Sequence, residues 1–77
     1  MKVKIISPDT TLYEGDATML QLPGTGGLFE LLDNHAPIIA SLRTGQIRLL
    51  TPTEELRFPI LAGVVKGQQN EILIMVQ

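Results

Sequence analysis

The segment that decides the fold spans residues 22–42 and reads LPGTGGLFELLDNHAPIIASL. It contains a glycine-rich stretch at Gly24–Gly27, then Asn34, His35, Ala36 and Pro37, and then an apolar run at Ile38–Leu42. So many glycines are unsuited to a helix and fit a loop that needs positive φ angles. The run that follows is short, apolar and closed by turn residues, which is typical of a strand. This segment therefore favours a β fold.

Short apolar runs separated by turn residues continue on both sides of this segment. They are Val3–Ile6, Thr11–Leu22, Ile47–Leu49, Leu56–Ala62 and Ile72–Val76. Pro59 has the opposite parity to the apolar residues around it, which predicts an edge strand or a bulge there. No window shows a sustained 3.6-residue apolar period, so helix content should be near zero. The pattern predicts an all-β fold, an antiparallel β-sandwich or flattened barrel, in a single domain over residues 1–77.

Along Thr11–Leu22 the alternation of apolar and polar residues is interrupted midway. Tyr13 and Ala17 alternate with polar residues, whereas Met19 and Leu20 are adjacent and both apolar. A two-residue period cannot place both on one face, so either a bulge or a second covered face is required. We expect the bulge, in one strand that crosses a corner of the sheet.

Length and composition exclude several classes of protein. A chain of 77 residues is one small domain without room for a large cleft. The net charge of −2 is spread along the chain, so neither a nucleic-acid surface nor a polybasic membrane patch is expected. The absence of Cys excludes disulfides, thiolate nucleophiles and Cys-ligated metals. No apolar run approaches the roughly 20 residues of a membrane span, and we expect a soluble protein whose partner is another protein.

His35 is the only histidine, and Asp33 lies close to it in sequence. Imidazole titrates near neutral pH and a carboxylate can orient it, so a small hydrolase is one hypothesis. No nucleophile or second acid supports it, which favours a structural or interface histidine whose ring nitrogens bond to the backbone. The carboxylates are too dispersed for a metal site, and Glu54 and Glu55 are expected in a solvated turn. We predict no catalytic, cofactor or metal site.

The C-terminal run Ile72–Val76 is apolar on both faces. One face should enter the core, which leaves Leu73 and Met75 pointing outward. Two explanations remain open for this second face. It is either an exposed contact surface or part of a central strand that is covered on both sides.

Residues spread over nearly the whole chain resemble those of a known family. They are Val3–Ser7, Leu12, Tyr13, Gly15, Ala17, Leu22–Gly24, Gly27, Phe29, Leu31, Leu32, Asn34–Pro37, Leu42, Gly45, Ile47, Ala62–Val65 and Asn70–Val76. Together they resemble the N-terminal β-sandwich domain of the ATP synthase epsilon subunit, the bacterial and chloroplast counterpart of the mitochondrial delta subunit. The set is specific, although the His-Ala-Pro triplet alone would be a weak match.

The resemblance implies a non-catalytic rotor subunit in the central stalk of a proton- or sodium-translocating F-type ATP synthase. It would link the gamma subunit to the c-ring and help couple ion flow to ATP synthesis, peripheral to the cytoplasmic side of the bacterial inner membrane. The implied ring-facing residues are Gly24, Gly27, Leu28 and Glu30, and the gamma-facing residues are His35, Ala36, Pro37, Ile38, Leu73 and Met75. No cofactor, nucleic acid or small-molecule substrate is implied. The alternative is a stand-alone β-sandwich adaptor that binds an unrelated protein.

The chain departs from the family pattern in two places. Leu28 stands where relatives usually carry an acidic residue facing the ring, so Glu30, of the same strand parity, becomes the candidate for that contact. The sequence ends at Gln77, before the helical hairpin that inhibits ATP hydrolysis in many relatives and binds ATP in some. If Gln77 is the natural end, both of those functions should be missing.

Overall fold

Nine β-strands and no helix make up the protein in its computed structural model, which describes residues 1–77. The strands are β1 (Lys2–Ile6), β2 (Thr11–Asp16), β3 (Met19–Gly24), β4 (Gly27–Leu32), β5 (Ile38–Leu42), β6 (Gly45–Leu50), β7 (Glu55–Ile60), β8 (Gly63–Gln68) and β9 (Glu71–Val76). This arrangement confirms the predicted all-β fold.

The strands form one continuous hydrogen-bonded sheet that curls around a shared core. Its first half has the order β2-β1-β9-β8-β5, and its second half has the order β4-β3-β6-β7. The halves join at a corner, where Gly24 of β3 pairs with Leu42 of β5. All neighbours are antiparallel except β1 and β9, which run parallel. The first and last strands in sequence thereby lie side by side.

The core is built from alternate residues of the strands in both halves. In β9 the buried residues are Ile72, Ile74 and Val76, as the two-residue period requires. At the open side of the curled sheet, Tyr13 of β2 and Phe58 of β7 meet edge to face, with ring centroids 6.1 Å apart. This contact brings the two terminal strands of the sheet together over the core.

The run Thr11–Leu22 does not form the single bulged strand that its sequence suggested. The chain breaks into β2 and β3, and β3 is buried on both faces. Leu20 points into the core, whereas Met19 lies on the opposite face, between its register partners Leu32 and Leu50. The adjacent apolar pair therefore reflects a second covered face, and the bulge prediction was wrong. The bulge that the pairings do show lies between β1 and β2.

Tight turns connect the strands that carry the candidate surfaces. The glycine-rich stretch predicted as a loop is a two-residue turn, Thr25 and Gly26, between β3 and β4. Gly27 starts β4 with a φ of +129°, a conformation that side-chain-bearing residues rarely adopt. Pro59 lies in β7 at the edge of the sheet, as its parity predicted.

Candidate interaction surfaces

The four residues predicted to face the ring lie together on the β3–β4 hairpin. Gly24 pairs with Gly27, and a Cβ at Gly24 would lie only 2.8 Å from the Gly27 carbonyl oxygen and from the Phe29 ring. Leu28 is 64% exposed, and Glu30 is exposed on the same face. The hairpin therefore presents an apolar residue and a carboxylate on one surface, close to its tip.

His35 precedes β5 and is half-buried. Its Nδ1 lies 2.8 Å from the carbonyl oxygen of Ala36, and because that oxygen can only accept, Nδ1 donates the hydrogen bond. Its Nε2 is buried without a partner. The ring edge lies beside Gly67 of β8, where an added Cβ would be 3.0 Å from His35 Cε1. The prediction that the ring nitrogens bond to the backbone therefore holds for Nδ1 and not for Nε2, and the ring fills the space that Gly67 leaves.

The carboxylate of Asp33 interacts with the N-terminal ammonium of Met1, not with His35. The same ammonium donates to the Ala17 carbonyl oxygen at 3.0 Å. The hydrogen bond from the ammonium, followed by its positive charge, holds the pKa of Asp33 below its usual range, and the Asn70 side chain adds to this. The acid–base pair considered from sequence is therefore not assembled.

Four apolar residues lie on the outer side of the first half-sheet, with the exposed Lys66 between Ile39 and Leu73. We call this surface the outer face and define it by Ile39 of β5, Val64 of β8, and Leu73 and Met75 of β9. Ile39 is 75% exposed, Met75 42% and Val64 40%, while Leu73 is half-buried. Beside Val64 and Met75 a shallow groove of about 510 Å³ continues toward Ile6 of β1. β9 is thus a central strand, hydrogen-bonded to β1 and β8, but no other element covers its outward side chains. Each of the two explanations left open by the sequence is therefore partly right: the strand is central, and its second face is exposed.

The residues predicted to face gamma are divided between two sides of the sheet. Leu73 and Met75 lie on the outer face, whereas Ile38 packs against the core. Ala36 and Pro37 are exposed in the segment before β5. Sequence reasoning missed Ile39, although adjacent isoleucines in a strand require one of them to point outward.

A charged cluster lies on the second half-sheet. The carboxylate of Glu55 accepts hydrogen bonds from Arg48 Nε and Arg57 Nε, both at 3.0 Å. These hydrogen bonds hold the pKa of Glu55 below its usual range. Only Glu54 lies in the predicted turn, since Glu55 begins β7.

The nine strands curled around one core place the protein in the class of small all-β sandwich domains. No cluster of three or more His, Asp or Glu residues is placed to hold a metal ion, and the protein has no helix that could cross a membrane. The family model described as the β-sandwich domain of the ATP synthase Delta/Epsilon chain matches residues 1–77. The chain belongs to this family.

Relatives named ATP synthase epsilon chain match almost the whole sequence. The protein of Thermosynechococcus vestitus is 34% identical over 76 residues, which are 99% of this chain and 55% of that protein. The protein of Chlorobium limicola is 31% identical over an alignment of 77 positions, which covers 99% of this chain and 88% of that protein. The chain thus spans about half the length of the first relative and most of the second.

Two solved structures share the fold at low sequence identity. One is a chain in the structure of the central stalk and c-ring of the Tetrahymena thermophila mitochondrial ATP synthase. It superposes on this chain with a TM-score of 0.84 at 13% sequence identity, and the match covers 99% of this chain and 62% of that chain. A chain of the Euglena gracilis mitochondrial ATP synthase gives a TM-score of 0.89 at 12% identity, covering 96% of this chain and 48% of that chain. At such identities the likeness concerns the fold.

Proposed function

We propose that the chain is a non-catalytic rotor subunit of the central stalk of an F-type ATP synthase. In this role it binds the gamma subunit, rests on the c-ring, and helps to couple proton or sodium flow to ATP synthesis. It is held on the cytoplasmic side of a bacterial inner membrane through the complex. The observation that carries the proposal is the family match, which extends over residues 1–77.

The outer face is the surface we assign to gamma. Its residues Ile39, Val64 and Met75 are each at least 40% exposed, and they lie on neighbouring strands. Exposed apolar residues grouped on one surface are typical of a protein–protein contact. His35, Ala36 and Pro37 lead directly into β5, the strand that carries Ile39, and Ala36 and Pro37 are exposed and available for this contact. Burying these residues against gamma would remove apolar surface from water.

The tip of the β3–β4 hairpin is the surface we assign to the c-ring. Gly24 and Gly27 allow the close turn, while Leu28 and Glu30 stand exposed on one face beside it. Glu30 takes the place of the acidic residue that relatives usually carry at position 28. The carboxylate is held only by a long hydrogen bond from Gln21 Nε2 at 3.4 Å, which leaves it available to a partner.

Co-purification with the cognate gamma subunit tests the proposal. The chain should form a complex with gamma at micromolar concentration, and Ile39→Glu should weaken it because a carboxylate would be buried at the contact. The matched control is Leu32→Glu, which changes a leucine of similar exposure, 58%, on the other half-sheet. Failure of the unaltered chain to bind gamma refutes the proposal. Equal effects of the two variants refute the assignment of the outer face.

A further inference from the structure

β4 is an edge strand whose free side offers unpaired backbone groups. It pairs only with β3, and the pairing starts where Gly24 and Gly27 close the two-residue turn. In an antiparallel pair of strands that begins with a hydrogen-bonded residue pair, the backbone N–H and C=O groups of every second residue bond to the neighbouring strand. Those of the residues in between point away from that strand. The carbonyl of Pro23, opposite Leu28, fits this alternation, since it accepts from Arg43 N on the far side of β3 at 2.8 Å. The N–H and C=O groups of Leu28, Glu30 and Leu32 therefore face the free edge.

The side chains of β4 do not protect this edge, in contrast to those of β2 and β7, the strands at the two ends of the sheet order. β2 carries two carboxylates, and β7 carries charged residues and Pro59. In β4 the exposed residues are Leu28 at 64%, Leu32 at 58%, and the charged Glu30 between them. Natural edge strands are commonly guarded by charges, by proline or by a covering element. The edge of β4 is thus better suited to receive another strand than the edges of β2 and β7.

The charge of the edge indicates which kind of strand fits. Glu30 makes no ion pair, and its hydrogen bond to Gln21 is long, at 3.4 Å. A second copy that paired antiparallel around Glu30 would set two carboxylates directly opposite each other, which is unfavourable. A strand with a lysine or arginine at that position would instead form a favourable cross-strand pair.

We propose that β4 binds an extended segment of another protein by antiparallel strand addition. The segment has a basic residue opposite Glu30 and apolar residues opposite Leu28 and Leu32. Backbone hydrogen bonds to the three open residues supply affinity, and the alternate side chains supply specificity. This inference goes beyond the stalk assignment, but it uses Leu28 and Glu30, which are assigned above to the c-ring, so the two contacts share one surface. Its test uses a peptide and no stalk subunit, so either proposal can fail without the other.

The probe is the peptide acetyl-Thr-Leu-Thr-Lys-Thr-Leu-Thr-amide, titrated into the isotope-labelled chain and followed by NMR and amide hydrogen exchange. The amides of Leu28, Glu30 and Leu32 should shift and become protected, whereas those of Phe29 and Leu31 should keep the protection that β3 already gives them. A peptide methylated on the Lys nitrogen should bind about tenfold more weakly, because it loses an inter-strand hydrogen bond. Methylation of the next Thr nitrogen, which faces away, should leave binding unchanged.

Charge reversal gives the matched control. Glu30→Lys should bind the Lys-centred peptide about fivefold more weakly and should prefer a Glu-centred version. Three results would overturn the proposal: no response of the three amides at millimolar peptide, equal effects of the two methylations, or no exchange of preference in the variant. Concentration-dependent protection of the same amides without peptide would also overturn it, in favour of a second copy of the chain.

Discussion

Adjacent residues of β9 should differ sharply in their contribution to stability, because one faces the core and the other faces outward. Ile74 is fully buried, whereas Met75 is 42% exposed on the outer face. Removing the buried side chain in Ile74→Ala loses its transfer free energy and leaves a cavity, which together cost about 3 kcal/mol. Met75→Ala leaves no enclosed cavity, and it should cost roughly 1 kcal/mol or less.

The two variants are compared by urea and thermal unfolding of the isolated chain. In a domain of this size, each kcal/mol lowers the unfolding temperature by about 6 °C, so Ile74→Ala should unfold about 18 °C below the unaltered chain. The slope of the urea transition should stay the same, since neither change alters the surface exposed on unfolding appreciably. A loss from Met75→Ala as large as that from Ile74→Ala would refute the assignment of the two faces of β9.

Three further predictions concern charge, a buried ring and a close backbone approach. The lowered pKa of Glu55 adds stability at pH values above its ordinary pKa of 4.5, and this stability is lost as acid protonates Glu55 in the folded chain. Glu55→Gln removes the contribution, so the unfolding temperature of the variant should fall less steeply at acid pH than that of the unaltered chain. His35→Ala should cost about 1 kcal/mol in urea unfolding, because it removes a backbone hydrogen bond; no loss would count against a structural role. Gly63→Ala would place a Cβ 2.8 Å from the Met75 carbonyl oxygen, so it should lower the free energy of unfolding by about 1–3 kcal/mol, as measured by thermal unfolding. Gly26→Ala is the control, because the space around Gly26 is open and the change should be tolerated.

Local sequence patterns determined the strand content and several turns. Ile47–Leu49 is one of the short runs that predicted a β fold, and Ile47 and Leu49 are fully buried on one face of β6. The turn between β8 and β9 consists of Gln69 and Asn70, which both have positive φ angles. Such features depend on neighbours in sequence, so a short window contains the information that they need.

Only part of the candidate surfaces could be predicted in the same way. The shared parity of Leu28 and Glu30 correctly placed both on one exposed face of β4. The proximity of Asp33 and His35 in sequence was misleading, because β4 ends beside the N-terminus and the carboxylate meets Met1 instead. The distribution of charges around a side chain depends on long-range contacts, which spacing along the chain does not encode.

What the sequence alone determined is the β class of the protein, the position of several turns and the inward or outward direction of many side chains. Tertiary structure decided which strands are neighbours. The parallel pairing of β1 with β9 leaves the outward residues of a central strand uncovered, and the corner at Gly24 and Leu42 leaves β4 on a free edge. A two-residue period in the sequence specifies the two faces of a strand. Which strands lie beside it, and whether one of its edges stays free, is decided only when residues distant in sequence pack into one core.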